Sequence, residues 1–190
     1  IGSVASETVG SVTWKFKSIN GLTSQDYSAT DFAAINLHHG IAYINANGTD
    51  ETSEGWTSSG EYIDNLHGDT WIKVEIEANV QTAFQTNKKV AYEKSGIDLL
   101  TGIVYDTLQK AFEQGIILTD DETKKGDFDV QATDRAAQSL DDLSKRHYGG
   151  ISFTYNRSGA IHNATINGLI LSSAMTATAT AGGSSASSSN

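Results

Sequence analysis

The five histidines are the side chains best suited to hold a metal ion or to move a proton. None belongs to an HExxH pair, and none stands at a convincing metal-ligand spacing from acidic residues. The absence of cysteine excludes disulfides, thiolate metal sites and cysteine nucleophiles. We therefore predict no metal site, and structural or surface roles for His38, His39, His67, His147 and His162.

Acidic and glycine-rich stretches point to no clearer chemistry. Residues 120–122 form an acidic run typical of a solvated loop. Residues 45–51 carry oxygen ligands and a glycine, but they lack the DxDxDG register and the glutamate at position twelve of a calcium loop. The chain has no Gly-x-Ser-x-Gly elbow and no glycine-rich phosphate loop. We predict no catalytic residue, no cofactor and no enzymatic activity, although two distant carboxylates of a glycosidase remain possible.

Charge and hydropathy restrict the partners. Acidic residues outnumber basic ones 23 to 13, which gives a formal net charge of −10. Nucleic-acid binders gain most of their affinity by neutralising phosphates with a basic stripe, and here the basic residues are scattered. No apolar run approaches the roughly 18–20 residues of a membrane span. We expect neither nucleic acid nor membrane as a partner.

Two amphipathic helices are the main predicted elements. Apolar residues recur at intervals of four over 69–92, and a second apolar face runs through 96–114. Ser95 and Asp98 have the spacing of a capping box, and Gly115 stands where a helix-ending glycine belongs. The residues of the two faces are Ile72, Ile76, Val80, Ala83 and Phe84, then Ile97, Leu100, Val104, Leu108 and Ala111.

Alternating patterns predict the strands. Val12, Trp14 and Phe16 share one face of a strand over 11–17, and further strands are predicted at 127–131 and 151–155. A last strand over 161–171 follows a hairpin turn at 156–159. Short helices are predicted at 28–38 and 134–146, an apolar strand-length run at 41–44, and an exposed loop at 45–60. The fold class is α+β, with a small mixed or antiparallel sheet flanked by the two main helices.

The chain divides into three predicted parts. Residues 1–10 are small and polar and are expected to be a linker from a missing N-terminal portion. Residues 11–172 form the core domain. Apart from Met175 and Asn190, residues 173–190 are alanine, threonine, glycine and serine, with too little apolar surface to offset ordering entropy, so a flexible tail is predicted. The strand before this tail can complete its own sheet or pair with a neighbour's exposed edge.

Several short motifs follow one another along the chain in a fixed order. The opening strand 13–17 and turn 19–23 are followed by Gly60-Glu-Tyr-Ile-Asp64 and by Asp69-Thr-Trp71 before the first long helix. The most specific motifs come last: Asp134-Arg-Ala-Ala137, Gly150-Ile-Ser-Phe153, Gly159-Ala-Ile-His162 and Ile166-Asn-Gly168. In order and spacing they resemble the C-terminal half of the contractile bacteriophage tail sheath-like protein family. Residues 139–148 depart from that pattern as an insertion.

The resemblance implies a structural subunit of a contractile phage tail, assembled in the host bacterial cytoplasm and carried in the virion. Its implied partners are copies of itself in hexameric rings stacked helically, the tail tube protein, the baseplate and the tail terminator. Contraction would drive the tube into the host without a nucleotide. The assembly residues are then expected in the last strand, with the opening strand as a second candidate: Ile161, Ile166, Leu169 and Leu171, then Val12, Trp14 and Phe16.

Two other functions stay open. The polar loop 45–60, with Trp56 and the nearby Tyr62, is compatible with a secreted glycan-binding or glycan-cleaving module. The sheath of another contractile injection machine would also share this core.

Overall fold

The computed structural model describes residues 4–168, so Leu169, Leu171 and the segment 173–190 lie outside the described residues. In chain order the elements are α1 (Ala29–Leu37), β1 (Tyr43–Ala46), β2 (Thr49–Thr52), α2 (Ile63–Thr86), α3 (Lys94–Glu113), β3 (Phe128–Ala132), the 3-10 turn Arg135–Ala137, α4 (Leu140–Lys145) and β4 (Ile151–Tyr155). The two sheets are antiparallel, β1 with β2 and β3 with β4. The predicted α+β class is confirmed.

Helices α2 and α3 pack against each other and supply most of the core. The predicted faces of both helices are confirmed where they meet: Ile72, Val104 and Leu108 are buried. Burying a side chain of this size stabilises the fold by about 1.5–3 kcal/mol before entropy is subtracted. Toward the end of α2 the predicted apolar face is less well packed, and Phe84 is half exposed. Helix α3 begins at Lys94, and its N-cap residue Glu93 makes no side-chain cap bond, so the predicted capping box at Ser95 is wrong.

The end of α3 turns the chain directly into the core. Gly115 has φ +83°, its N–H donates to Phe112 O (2.9 Å), and the N–H of Ile116 donates to Ala111 O (2.9 Å). These are the two bonds of a Schellman cap, so the prediction for Gly115 is confirmed. Ile116 and Ile117 are thereby buried against α2 and α3.

Strands β3 and β4 cover the other side of this core. The alternation predicted both strands, and in the structure they pair from Phe128 opposite Tyr155 to Ala132 opposite Ile151. The segment 116–119 joins them at one end, because Leu118 N–H donates to Asn156 O (2.8 Å) and Asp127 N–H donates to Leu118 O (2.8 Å).

The predicted hairpin turn at 156–159 is wrong. Arg157 bridges Ile117 instead, and Ser158 N–H donates to Ile116 O (2.9 Å). These bonds direct the chain across the end of α3 rather than back along β4. Over the described part of the predicted last strand, residues 161–168 form no strand.

The β1–β2 hairpin spans the end of the strand-length run predicted at 41–44 and the start of the exposed loop predicted at 45–60. Asn47 and Gly48 have φ +52° and +87°, which is typical of the two-residue turn that matches the twist of its strands. After the hairpin, Ser53 and Gly55 are buried, so the loop prediction for 45–60 is wrong.

The predicted strand over 11–17 is also wrong. Phe16 has a left-handed φ of +63°, which reverses the expected facing: Lys15 is buried and the Phe16 side chain is 46% exposed. The segment still lies on the edge of β2, since Phe16 N–H donates to Thr52 O and Thr52 N–H donates to Lys17 O, both at 3.1 Å.

Three smaller regions complete the body. Ser28 caps α1 by accepting from Asp31 N–H, at the start of the short helix predicted over 28–38. Residues 4–10 turn back on the core: Val4 is buried and Val9 packs against the main cluster. The 139–148 stretch contains α4 and is attached through Tyr148, whose ring packs edge-on against Tyr92.

No helix among residues 4–168 is both long enough and apolar enough to cross a bilayer.

Candidate assembly interface

The two segments predicted to take part in assembly lie side by side. The hydroxyl of Thr13 is 2.8 Å from Nε2 of His162, and the Phe16 ring meets the His162 ring edge-on at 6.2 Å between centroids. The sequence predicted each segment separately. The structure brings residues 11–17 and 160–162 together beside the β1–β2 hairpin.

The two large apolar side chains that the structure describes in the last segment are exposed. Ile161 is 85% exposed and Ile166 is 91% exposed, so neither contributes to the core. In the first segment Val12 and Trp14 are half-buried, while Phe16 is exposed. Clusters of exposed large apolar side chains are typical of surfaces that bind other proteins, and Phe16 lies next to His162, the neighbour of Ile161 in sequence.

His162 is the buried point between these exposed side chains. Its side chain is 7% exposed, its Nδ1 is 3.1 Å from Glu54 Oε2, and the ring of Tyr62 packs edge-on against it at 4.8 Å. A neutral ring protonated at Nδ1 donates to Glu54 and accepts from the Thr13 hydroxyl, which satisfies both ring nitrogens.

Glu54 is shared between His162 and Lys15. The Lys15 ammonium lies 2.5 Å from Glu54 Oε1, and both side chains are nearly buried. Removing one partner of a buried ion pair leaves an uncompensated charge, which is strongly destabilising. Lys15 and Glu54 thus explain why the chain turns Lys15 inward and Phe16 outward.

Beyond Tyr62, two more aromatic rings pack in sequence, leading away from the terminal segment. Trp56 stacks on Tyr62 at 6.5 Å, His39 meets Trp56 edge-on at 5.3 Å, and Trp56 Nε1 donates to Gly40 O (3.0 Å). Trp56 and Tyr62 motivated the glycan hypothesis. In the structure both rings are used in contacts within the chain, and the glycan function stays a prediction that none of these contacts favours.

A second ionic cluster holds the chain where it leaves β4. Arg157 binds the Asp69 carboxylate through Nη2 and Nε and lies 3.5 Å from Glu61 Oε2. Tyr155 donates to the same Asp69 at 2.5 Å. Burial, followed by this hydrogen bond, raises the pKa of Tyr155 to about 12. The hydrogen bond to Asp69 also raises the pKa of Arg157, so the guanidinium stays charged.

An open cleft of about 240 Å³ separates the two segments on this side. Residues 10–13 form one wall, residues 157–160 another, and Asp64 and Asn65 of α2 contribute to the floor. The cleft therefore lies between the start of the described chain and the departure of its last described segment.

Sequence reasoning missed Lys15 and Glu54. The alternation placed Lys15 on the solvent face, and Glu54 stood in a segment predicted as loop. His162 was predicted to have a structural or surface role, and its buried side chain agrees with the structural one. Among residues 4–168 no group of three histidine or acidic side chains could hold a metal ion.

No protein-family model and no curated protein matches the chain. Solved structures do. A chain of the anti-feeding prophage (AFP) baseplate, 6-fold symmetrised, matches with a TM-score of 0.60 and 10% identity over 83% of this chain and 44% of that one. A chain of the AFP helical sheath in the contracted state matches with a TM-score of 0.59 and 11% identity over 90% and 48%.

A third similar chain belongs to the contracted sheath complex of PVC, an extracellular contractile injection system. It has a TM-score of 0.54 and 10% identity over 78% of this chain and 42% of that one. The chain thus has a contractile-sheath-like fold, and it spans less than half the length of the structures it matches. The resemblance found in the motifs is confirmed at the level of the fold.

Proposed function

We propose that this chain is a structural subunit of a contractile sheath. The observation that carries the proposal is the fold shared with the contracted AFP sheath over 90% of this chain. The similar chains belong to sheath and baseplate structures, which favours a structural role over catalysis.

The proposed principal partner is a second copy of the chain. Copies form hexameric rings that stack helically around a tail tube, with a baseplate and a tail terminator at the ends. The exposed Ile161 and Ile166 support self-association, because a neighbouring subunit that covers them removes their apolar surface from water, which is favourable.

The last segment is proposed to add a strand to a neighbour's sheet. Over residues 4–168 each sheet has two strands, and an isolated two-stranded sheet is marginally stable in water. Ladder hydrogen bonds from an added strand supply affinity, while pockets for alternate side chains supply specificity. Leu169 and Leu171 would continue the contacts of Ile161 and Ile166, and Val12, Trp14 and Phe16 would line the neighbouring surface.

Contraction needs no nucleotide in this proposal. Free energy is stored when subunits assemble into an extended lattice, and it is released when the lattice collapses and gains interface area. This contraction of the sheath pushes the tube into the host cell.

The setting proposed from the motifs is a phage tail, assembled in the cytoplasm of the host bacterium and carried in the virion. The sheath of another contractile injection machine is the alternative, and the AFP and PVC structures are the observation that favours it. The contacts proposed between subunits are the same in both settings.

The test is assembly of the purified protein. Electron microscopy and sedimentation across salt and protein concentration are expected to reveal rings or tubes. Monodisperse particles of subunit mass under every condition would overturn the proposal. Deleting residues 160–190 is expected to abolish assembly, and deleting only 173–190 is the matched control expected to preserve it. Equal assembly by both deletions would refute a role for the terminal segment.

A further inference from the structure

His162 differs from its neighbours in the terminal segment. Ile161 before it and Ile166 after it are almost fully exposed, whereas the His162 ring is buried. Beyond the backbone bond from Ser158 to Ile116, the described part of the segment is held to the body through His162.

The ring is bonded to two segments that are distant in sequence. Nε2 meets Thr13, which lies before the β1–β2 hairpin, and Nδ1 meets Glu54, which lies after it. Tyr62, at the start of α2, packs against the same ring. Two bonds in different directions and one ring contact determine both the position and the orientation of the imidazole.

Glu54 is itself held in place. Its other oxygen accepts from Lys15, so the carboxylate cannot rotate away from His162 without breaking a buried ion pair. The bonding site for His162 is therefore preorganised before the ring arrives.

We propose that His162 is a positioning residue that sets the direction in which the terminal segment leaves the body. The inference rests on the proposed function for its consequence: a segment presented in one direction reaches a neighbour at a smaller entropic cost than one that samples many directions. Loss of the anchor raises the protein concentration needed for assembly about tenfold, while the α2–α3 core stays folded.

The first experiment measures how narrowly the terminal segment is positioned relative to α2, and it does not require assembly. The chain has no cysteine, so Lys73→Cys on α2 and Ala164→Cys on the segment carry the only two spin labels. Pulsed electron paramagnetic resonance of the dilute protein then gives the distribution of distances between them. We expect a narrow distribution for the parent and one at least twice as wide for His162→Ala.

Three further variants separate positioning from general stability. His162→Gln keeps a polar group near the position of Nε2 and is expected to recover part of the narrowing. Thr13→Val removes the hydrogen bond to His162 Nε2 at nearly constant side-chain shape. If His162→Ala fails to fold, the width measured for Thr13→Val tests the inference in its place. Asn163→Ala is the exposed control and is expected to leave the width unchanged. Equal widths for the parent, Thr13→Val and His162→Ala would overturn the inference.

The second experiment measures the lowest concentration at which the same variants form rings or tubes. Failure of the inference and failure of the proposed function give different results. A parent that assembles, with distributions unchanged by His162→Ala, refutes the anchor and keeps the sheath function. A parent that never assembles, with distributions that widen as expected, refutes the sheath function and keeps the anchor.

Discussion

Replacing Ile161 and Ile166 by aspartate is expected to abolish assembly without unfolding the subunit. Both side chains are almost fully exposed, so aspartate removes no core contact. In the proposed contact with a neighbour's sheet, burying each isoleucine would contribute about 1.5–3 kcal/mol. Together they contribute about 3–6 kcal/mol, which corresponds to about 10²–10⁴-fold in the association constant at 1.4 kcal/mol per factor of ten.

Sedimentation velocity over a concentration series measures the loss, and thermal unfolding monitored by circular dichroism measures the integrity of the subunit. Leu140→Asp is the matched control, because Leu140 is 84% exposed but belongs to α4 rather than to the terminal segment. Assembly of the double variant at the parent's concentration would refute the reasoning. So would a drop in unfolding temperature that parallels the loss of assembly.

Three other predictions concern the core. Gly96→Ala is expected to destabilise the protein by about 1–3 kcal/mol in chemical denaturation, because the added Cβ would lie 1.9 Å from a backbone carbonyl oxygen; Gly102→Ala, in open space on the same helix, is expected to stabilise it by about 0.5–1 kcal/mol. Leu108→Ala is expected to cost about 2–5 kcal/mol, and an equal cost for the exposed Leu99→Ala would contradict the packing described. The folded state holds the Tyr155 proton more tightly than the unfolded state, so this stabilisation is complete below pH 10 and is lost as pH rises toward about 12; an ultraviolet titration lacking a late phenolate step, or retaining it in Tyr155→Phe, would contradict this.

The long helices were predictable because their signal is local. Apolar residues at helical spacing mark one face of α2 and of α3, and each face then finds the other. Gly115 was equally readable, since a helix that ends in a left-handed residue favours glycine.

Two segments were misread because their burial depends on distant partners. Alternation assumes that a lysine faces solvent, but Lys15 turns inward to Glu54, 39 residues later in the chain. The reversal needs the left-handed backbone of Phe16, which an aromatic residue rarely adopts. The hairpin at 43–52 was taken for a loop from residue 45 onward, although Asn47-Gly48 is a strong turn signal.

The candidate site was predictable only in part. Composition marked Ile161 and Ile166 as apolar residues near the end of the chain, and the motif resemblance gave them a role. The anchor at His162 was not readable, because Glu54 and Thr13 lie 108 and 149 residues away in sequence. No local pattern encodes a contact of that separation.

The order of attachments along the terminal segment has a mechanical consequence. If a neighbouring subunit binds the segment beyond His162, as proposed, and pulls on it, the load reaches the His162 anchor first, then the backbone bond from Ser158 to Ile116, and then the ion pair between Arg157 and Asp69 of α2. These attachments would break one after another from His162 inward, so the packing of α2 on α3 would be strained last. A subunit built this way can lengthen its tether under force while its body keeps its shape.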